Sequence, residues 1–456
     1  MRIAPTPVHF TPIATAANPT TTPAIRKTNL FLWRITMQPR HAARGTREDT
    51  HPPNEHARTR LLYLQPSSTF GGAERQASIA VPLLATQGFD VTTMLGPSTA
   101  GLDWLRDYGV DDLIHTRDFP GGWRKPRGLE RLALPARYLR CVRRIEAAVQ
   151  RIAVQRRIDI IYAAMAFSWI AATRVARRLG IPIVWRAGGT EGNSFERLAL
   201  RLWARRNPPD LLVCCGEAVR RTFGPLIPAP AVVVPNGVDT ERFHPRVAAP
   251  VWYRPPGVKV VIGFGARLAP QKRPEDVIRA AALLAPAYPE AGFVIAGEGS
   301  RRAEYEALVR SLGLEHAVRF VGYVADMRSF YASVDIVVLP SRSEGCPNVV
   351  LESMAMRRAL VVSDSAGSRE VVSDGVNGLM YPIGDVPALA GALRRLLDSP
   401  SLCATLARRG YEIALRSYDA QASAIRLGGV LRRLLTPGAD ASSVVPVPAL
   451  KEAVRT

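Results

Sequence analysis

The chain is short of several things, and each shortage removes a class of function. It has only five Lys against 55 Arg, so its net charge of +21 rests almost wholly on guanidinium groups. Its five Cys (Cys141, Cys214, Cys215, Cys346 and Cys403) show neither a disulfide framework nor a zinc-type spacing. That usage points to a reducing, cytoplasmic compartment. Adjacent Cys214 and Cys215 read as small core residues on a strand rather than a redox pair. No apolar run approaches about 18 uninterrupted residues, so no membrane-spanning helix is expected. Asp-x-Asp occurs nowhere in the chain, which removes a common carboxylate pair for a metal ion. No metal site is expected.

Length and rhythm suggest the architecture. At 456 residues the chain exceeds one ordinary domain and suits two, plus tails. Residues 1–58 are rich in Pro and Thr, carry no acidic residue before Glu48 and lack periodicity, so a disordered leader is expected. The absence of Ser up to Arg47 argues against a transit peptide, and Met37 offers a second start for translation. From Arg60 strands and helices alternate. Strands are expected over 60–64, 90–95, 111–115, 158–164, 181–185, 210–215 and 231–234, with helices over 73–87 and 129–157. This alternation predicts a parallel sheet covered on both faces. Residues 244–257 are Pro-rich and read as a linker. A second series of the same kind runs from Lys259 through Tyr381. The expected domains are 59–243 and 258–417, then a helix within 418–436 and a loose tail over 437–456.

The segment richest in chemistry holds two glutamates eight apart, Glu344 and Glu352, around Gly345-Cys346-Pro347-Asn348. A buried strand precedes them (Ile336 to Pro340) and a helix follows, with Asn348 expected as its N-cap. Free amides and the helix dipole make such an N-terminus a site for a diphosphate. Glu352, about one turn inside the helix, can accept from ribose hydroxyls, and Glu344 can reach the group beyond the phosphate. The alternative is a capped surface helix with two solvated carboxylates. Upstream, Arg267 and Lys272 leave the C-terminal end of a strand over Val260 to Phe264, where open α/β sheets bind ligands. A fork and a point charge there suit a diphosphate; the alternative is a solvated loop. In the first half, Phe70-Gly71-Gly72-Ala73-Glu74-Arg75 follows the first strand. Its glycines allow close approach of a ligand or simply a tight turn. It is not GxGxxG, which disfavours a nicotinamide cofactor.

These segments, in this order, resemble the family 4 glycosyltransferases. The resemblance rests on Pro235-Asn236-Gly237-Val238-Asp239-Thr240-Glu241-Arg242-Phe243, Gly265 to Lys272, Ala296-Gly297-Glu298-Gly299, Val321-Gly322-Tyr323, Pro340 to Glu352, and Asp374 to Gly378, across residues 231–385. It implies an α/β chain of the GT-B fold, with two Rossmann-like domains facing each other across a cleft. The first would take the acceptor and the second a nucleoside-diphosphate sugar as co-substrate, with no further cofactor. The helix over 418–436 would pack back on the first domain. The implied catalytic residues are Glu344, Arg267 and Lys272. The implied donor-binding residues are Gly71, Gly72, Tyr323, Val324, Gly345, Cys346, Pro347, Asn348 and Glu352, with the backbone at Tyr323 and Val324 meeting the base. Transfer would retain anomeric configuration, by same-face attack without an enzyme nucleophile. With no Asp-x-Asp, Arg267, Lys272 and the helix amides are left to neutralise the leaving diphosphate, so metal-independent transfer is expected. One departure stands out. Many members carry a first-domain His that contacts the donor sugar. Of the seven His here only His115 falls in the first domain, on a strand that comes too early. The corresponding segment, Trp185 to Glu191, offers Arg186 as a candidate sugar contact, or else a solvated or ion-paired residue.

Charge bears on the acceptor. From Arg124 to Arg157 eleven basic residues face only Glu130 and Glu146, with Leu129, Leu132, Leu134, Tyr138, Leu139, Val142 and Ile145 interleaved. A basic amphipathic segment suggests an anionic membrane surface and a glycan or lipid-linked acceptor, with the protein peripheral on the inner face of the membrane. The alternative is a solvated basic helix. No zinc finger or RNP-like run points to a specific nucleic acid. Two rival functions remain: a GT-B sugar-nucleotide epimerase, and a nonenzymatic basic scaffold on membranes or nucleic acid.

Overall fold

The computed structural model describes residues 58–65, 71–96, 105–106, 108–110, 112–115, 130–164, 166–189, 194–246, 254, 256–436 and 438–439. The expected leader up to Ala57, most of the linker, the tail beyond residue 439 and the basic stretch 124–129 lie outside the described residues.

The first sheet is fed by β1 (Thr59–Gln65), α1 (Gly72–Ala85), β2 (Phe89–Leu95), β3 (Leu113–His115), α2 (Glu130–Gln155), β4 (Ile160–Ala164), α3 (Ala166–Leu179), β5 (Ile183–Ala187), α4 (Ser194–Arg206), β6 (Leu211–Cys214), α5 (Glu217–Phe223) and β7 (Ala231–Val233). Its seven strands are parallel in the order β3-β2-β1-β4-β5-β6-β7. The second sheet is fed by β8 (Val260–Gly265), α6 (Pro274–Leu284), β9 (Ala291–Ala296), α7 (Arg302–Ser311), β10 (Val318–Gly322), α8 (Met327–Ser333), β11 (Ile336–Leu339), α9 (Asn348–Ala355), β12 (Ala359–Ser363), α10 (Ser368–Val371), β13 (Leu379–Tyr381) and α11 (Val386–Asp398). Its six strands run in the order β10-β9-β8-β11-β12-β13, again parallel. Central strands such as Ile160 to Ala164 and Ile336 to Leu339 are buried throughout, as helices on both faces require. The chain ends in α12 (Pro400–Ser417) and α13 (Ala420–Leu435).

In both sheets the strand order reverses beside the first strand, between β1 and β4 and between β8 and β11. The crevice beyond the strand ends at such a point is where doubly wound sheets bind ligands. The Gly71-Gly72 turn leaves β1, the Arg267-Lys272 loop leaves β8, and the Glu344 loop leaves β11. Topology alone thus brings the three chemistry-bearing segments to the reversal points.

The last helix belongs to the first sheet's core. Leu427, Val430 and Leu431 of α13 share a buried cluster with Leu61, Leu84 and Phe89. The chain crosses over where Val238 N–H donates to the Tyr418 carbonyl (2.8 Å) and Ala420 N–H donates back to Val238 (3.0 Å). Asp419 caps α13 through the amides of Gln421 and Ala422 and accepts from the Thr240 hydroxyl at 2.9 Å. On the other face Trp185 of β5 is stacked between Trp169 and Trp203, centroids 4.8 and 5.6 Å away.

Two strand starts differ from expectation for local reasons. The strand expected from Ile158 begins at Ile160, because Ile158 N–H still closes the end of α2 on the Ala153 carbonyl. The strand expected over 181–185 lies at 183–187, since Ile181 N–H is taken by Ala176 of α3 and Pro182 has no N–H to give a ladder. Among the described residues no helix is long and apolar enough to cross a membrane.

Leu431 is fully buried. Leu431→Ala should cost about 2–5 kcal/mol of stability, as other buried Leu truncations do. The denaturant midpoint should fall accordingly. An unchanged midpoint would remove α13 from the first domain's core.

Candidate active site

The N-termini of α1 and α9 meet. Asn348 was expected as the cap of α9, but Pro347 holds that position and Asn348 is the first helical residue. The reason lies in the other domain. Asn348 Nδ2 donates to the Gly72 carbonyl (2.9 Å), and its Oδ1 accepts from Asn236 Nδ2 (2.8 Å) and Gln76 Nε2 (3.1 Å). Three partners outcompete one local amide. Gln76 also exchanges hydrogen bonds with the backbone of Gly237, at 2.9 and 3.1 Å. Asn236 Nδ2 reaches the Cys346 carbonyl as well, at 2.7 Å. The Gly71-Gly72 turn is held from behind. Glu74 accepts from the Gly71 amide (2.7 Å) and from Gln65 Nε2 (3.1 Å).

This leaves the amides of Asn348 and Val349 with no acceptor among the described residues. They are two of the open donors at a helix N-terminus and are available to an anion. Lys272 Nζ stands nearby in the same domain, 2.5 Å from Glu344 Oε1 in an ion pair shielded from solvent. The two loops that carry this pair are laced together. Gln271 Nε2 donates to the Ser343 carbonyl (2.9 Å), and Arg342 N–H donates to the Gln271 carbonyl (2.8 Å). Arg267 is exposed and makes no ion pair among the described residues. Tyr323 and Val324 follow β10, and Tyr323 is 54% exposed.

Glu352 is buried and doubly held. Arg75 Nη1 donates to both of its oxygens (2.8 and 3.0 Å), and the Tyr331 hydroxyl donates to Oε2 (2.6 Å). Burial and the carboxylate together raise the Tyr331 phenol far above the usual range, so it stays a donor. A third acid, Glu370 of α10, crosses to the first domain. It accepts from the Glu217 amide at 2.6 Å and from the Ala218 amide at the start of α5. Gly345 brings its backbone close to the first domain. A Cβ there would lie 2.6 Å from the Gly188 carbonyl oxygen and 2.8 Å from Cys215 Sγ.

Arg186 does not point to open solvent. Its Nη2 donates to Asn236 Oδ1 (2.6 Å) and Nη1 to the Tyr162 hydroxyl (3.3 Å). It lines a cavity of about 20 Å³ with Tyr63, Gln76, Pro235 and Ser423, room for about one water. The cysteines are free. Burial pushes the Cys214 thiol up to about 12 and Cys215 up to about 11, and raises Cys346 too, as suits small core residues. Among the described residues no group of three or more His, Cys, Asp or Glu is gathered to hold a metal ion.

Sequence reasoning reached Glu344, Glu352, Lys272 and Asn348 but not Arg75, Gln76, Tyr331 or Glu370. Arg75 stands next to the glycine turn, and its partner lies 277 residues away. No spacing pattern could have joined them.

Comparison with known proteins gives this geometry a family. Residues 70–242 match the model described as Glycosyltransferase Family 4, and residues 259–399 match Glycosyl transferases group 1. The chain belongs to the family 4 glycosyltransferases. The lipopolysaccharide core biosynthesis glycosyltransferase LpsE of Rhizobium meliloti is 29% identical over 353 residues, 77% of this chain and 93% of its own. EpsD of Bacillus subtilis is 34% identical over 41% of this chain and 50% of its own. The alpha-D-kanosaminyltransferase of Streptomyces kanamyceticus is 34% identical over 38% and 46%. The chain thus spans about half the length of these last two relatives. Among solved structures, Anabaena Alr3699/HepE in complex with UDP and glucose superposes with a TM-score of 0.66 at 20% identity, covering 82% of this chain and 99% of its own. Sucrose-phosphate synthase of Thermosynechococcus elongatus gives 0.70 at 17% identity, covering 83% and 99%. Likeness at that identity establishes the GT-B fold.

The Glu370 carboxyl is held above its usual value by burial, which outweighs the amides of Ala218 and Glu217. A raised acid contributes stability that is complete below its unfolded value of 4.5 and is lost as pH rises through the folded value. Glu370→Gln should therefore show a smaller fall in melting temperature than the parent between about pH 4 and pH 7. Parallel pH profiles of the two proteins would remove Glu370 from that transition.

Proposed function

We propose that the chain transfers a sugar, with retention, from a nucleoside-diphosphate sugar to a glycan or lipid-linked acceptor. The observation that carries this reading is the Lys272–Glu344 pair, held 2.5 Å apart beside a helix N-terminus with open amides at the sheet's reversal point. Lys272, Arg267 and the amides of Asn348 and Val349 stabilise the charge that builds on the departing diphosphate, where preformed donors act most strongly. The backbone from Gly345 to Pro347 and the Gly71-Gly72 turn wall in the phosphates and the reacting sugar. Glu344 orients the sugar hydroxyls while its partner Lys272 meets the phosphate. Glu352 fixes the ribose, and the backbone at Tyr323 and Val324 receives the base. The neutralising charge comes from side chains and amides, so transfer proceeds without a metal and with no cofactor beyond the donor.

The names of the relatives support a pathway in surface polysaccharide or lipopolysaccharide assembly. The exposed face of α2 supports a peripheral position on the inner face of an anionic membrane. Arg140, Arg143, Arg144 and Arg151 all lie in solvent there, and Leu139 is 45% exposed.

The test is transfer from UDP-, GDP- and ADP-sugars. Lys272→Ala and Glu344→Ala should each lower kcat/KM by about 10²–10³, the size of losing one preformed electrostatic contact. EDTA should leave the rate unchanged. Full activity in both variants would overturn the site, and loss with EDTA would overturn metal independence. Sugar-nucleotide isomerisation or hydrolysis without acceptor would make the chain an epimerase instead.

A further inference from the structure

Arg186 is partly buried on β5, and its hydrogen bonds go only to neutral groups, Asn236 Oδ1 and the Tyr162 hydroxyl. No carboxylate among the described residues pairs with it. A guanidinium drawn out of water is costly unless an anion matches it. Strand register explains its setting. Tyr63 of β1 lies beside Tyr162 of β4, and Arg186 stands two residues beyond Val184, the partner of Tyr162 on β5. With a side-chain period of two, all three lie on the face that α1 and α13 cover, near the reversal of strand order. They border the cavity of about 20 Å³. No carboxylate borders it, and Gln76 and Ser423 spend their side chains on Gly237, Asn348 and Pro235. Tyr63 is only 2% exposed, yet its hydroxyl has no hydrogen-bond partner among the described residues. Tyr162 accepts from Arg186 and gives its own proton to none of them. Burial raises both phenols, so they remain donors. The unmatched groups around the cavity are thus all donors, and one of them is charged. A water there would bring further protons against Ile79, Ala424 and Leu427, whereas an anion brings none. The volume exceeds the roughly 10–15 Å³ that one water needs, which leaves room for an ion slightly larger.

We infer that this cavity binds one small monovalent anion of halide size, held by the guanidinium of Arg186 and the hydroxyls of Tyr63 and Tyr162. Every residue around it belongs to the first domain or to α13, so the site is separate from the proposed donor site. It turns Arg186 to an anion rather than to the donor sugar. It also bears on the domain junction. The bound anion neutralises Arg186 where it stands, and Arg186 holds Asn236, whose amide reaches the Cys346 carbonyl and Asn348. The anion content of the medium thereby acts on a contact between the two domains.

The experiment is thermal unfolding of the full chain as sodium chloride replaces sodium gluconate at constant ionic strength, without nucleotide. The parent is compared with Tyr63→Phe and Arg186→Gln. The parent's melting temperature should rise with chloride along a saturating curve, because a ligand of the folded state stabilises it by linkage. In Tyr63→Phe the chloride concentration at half-saturation should rise about tenfold, the loss of one hydrogen bond to a charged group. In gluconate alone the same variant should melt no lower than the parent, since the hydroxyl it removes has no partner. Arg186→Gln should lose the chloride response altogether, and Tyr63→Phe keeps the test valid if that variant folds poorly. A parent that melts at the same temperature in both salts overturns the anion site and leaves the cavity to water. A rise of the same size and midpoint in the parent and in Tyr63→Phe places the chloride on surface guanidinium groups, which also overturns it. Neither result touches the proposed donor site.

Discussion

One carboxamide joins the two halves of this molecule. Asn348 opens the helix that faces the proposed donor, yet its side chain is spent on Gly72, Gln76 and Asn236, all of the other domain. The glycine turn after β1, the Asn236-Gly237 turn after β7 and the start of α9 thereby become a single hydrogen-bonded knot. Each such bond is worth only about 0.5–1.5 kcal/mol net. The knot therefore orients the cleft walls without making them inseparable. Arg186 belongs to this knot from beneath, through Asn236.

The electrostatics follow the same logic. Three buried or half-buried carboxylates line the junction, and each is matched differently. Glu344 has an ammonium, Glu352 a guanidinium and a phenol, and Glu370 a pair of backbone amides. Burying such charges unpaired would be costly, whereas replacing a whole pair with well-packed apolar residues is often no less stable. Of the three, Glu370 is the one that accepts from backbone amides of the other domain, at the start of α5.

Much of the fold was legible because buried parallel strands announce themselves as short apolar runs, and the glycine-rich and acidic turns between them carry distinctive residues. What was not legible had physical causes. The cap of α9 was misread because the competition for Asn348 came from a domain more than a hundred residues upstream. The strand after Pro182 was misplaced because a missing N–H shifts a ladder without changing the apolar pattern. The partners of Arg186, Tyr162 of β4 and Asn236 after β7, come from separate segments that no local pattern joins. The pair Arg75–Glu352 joins residues of two domains, which no local pattern in the sequence marks.

Gly345 carries a consequence of another kind. What matters at that position is the absence of an atom, since its backbone lies against the Gly188 carbonyl and Cys215 of the facing domain. A carbonyl oxygen cannot be trimmed by any substitution. A methyl group at 345 would have to be accommodated by moving one strand end bodily away from the other. The two domains are thus bound together in their evolutionary freedom as well as in space. Drift in the turn after β5 is constrained by a residue of the facing domain, and compensation for a side chain at 345 would have to arise as a change of backbone path in a different domain.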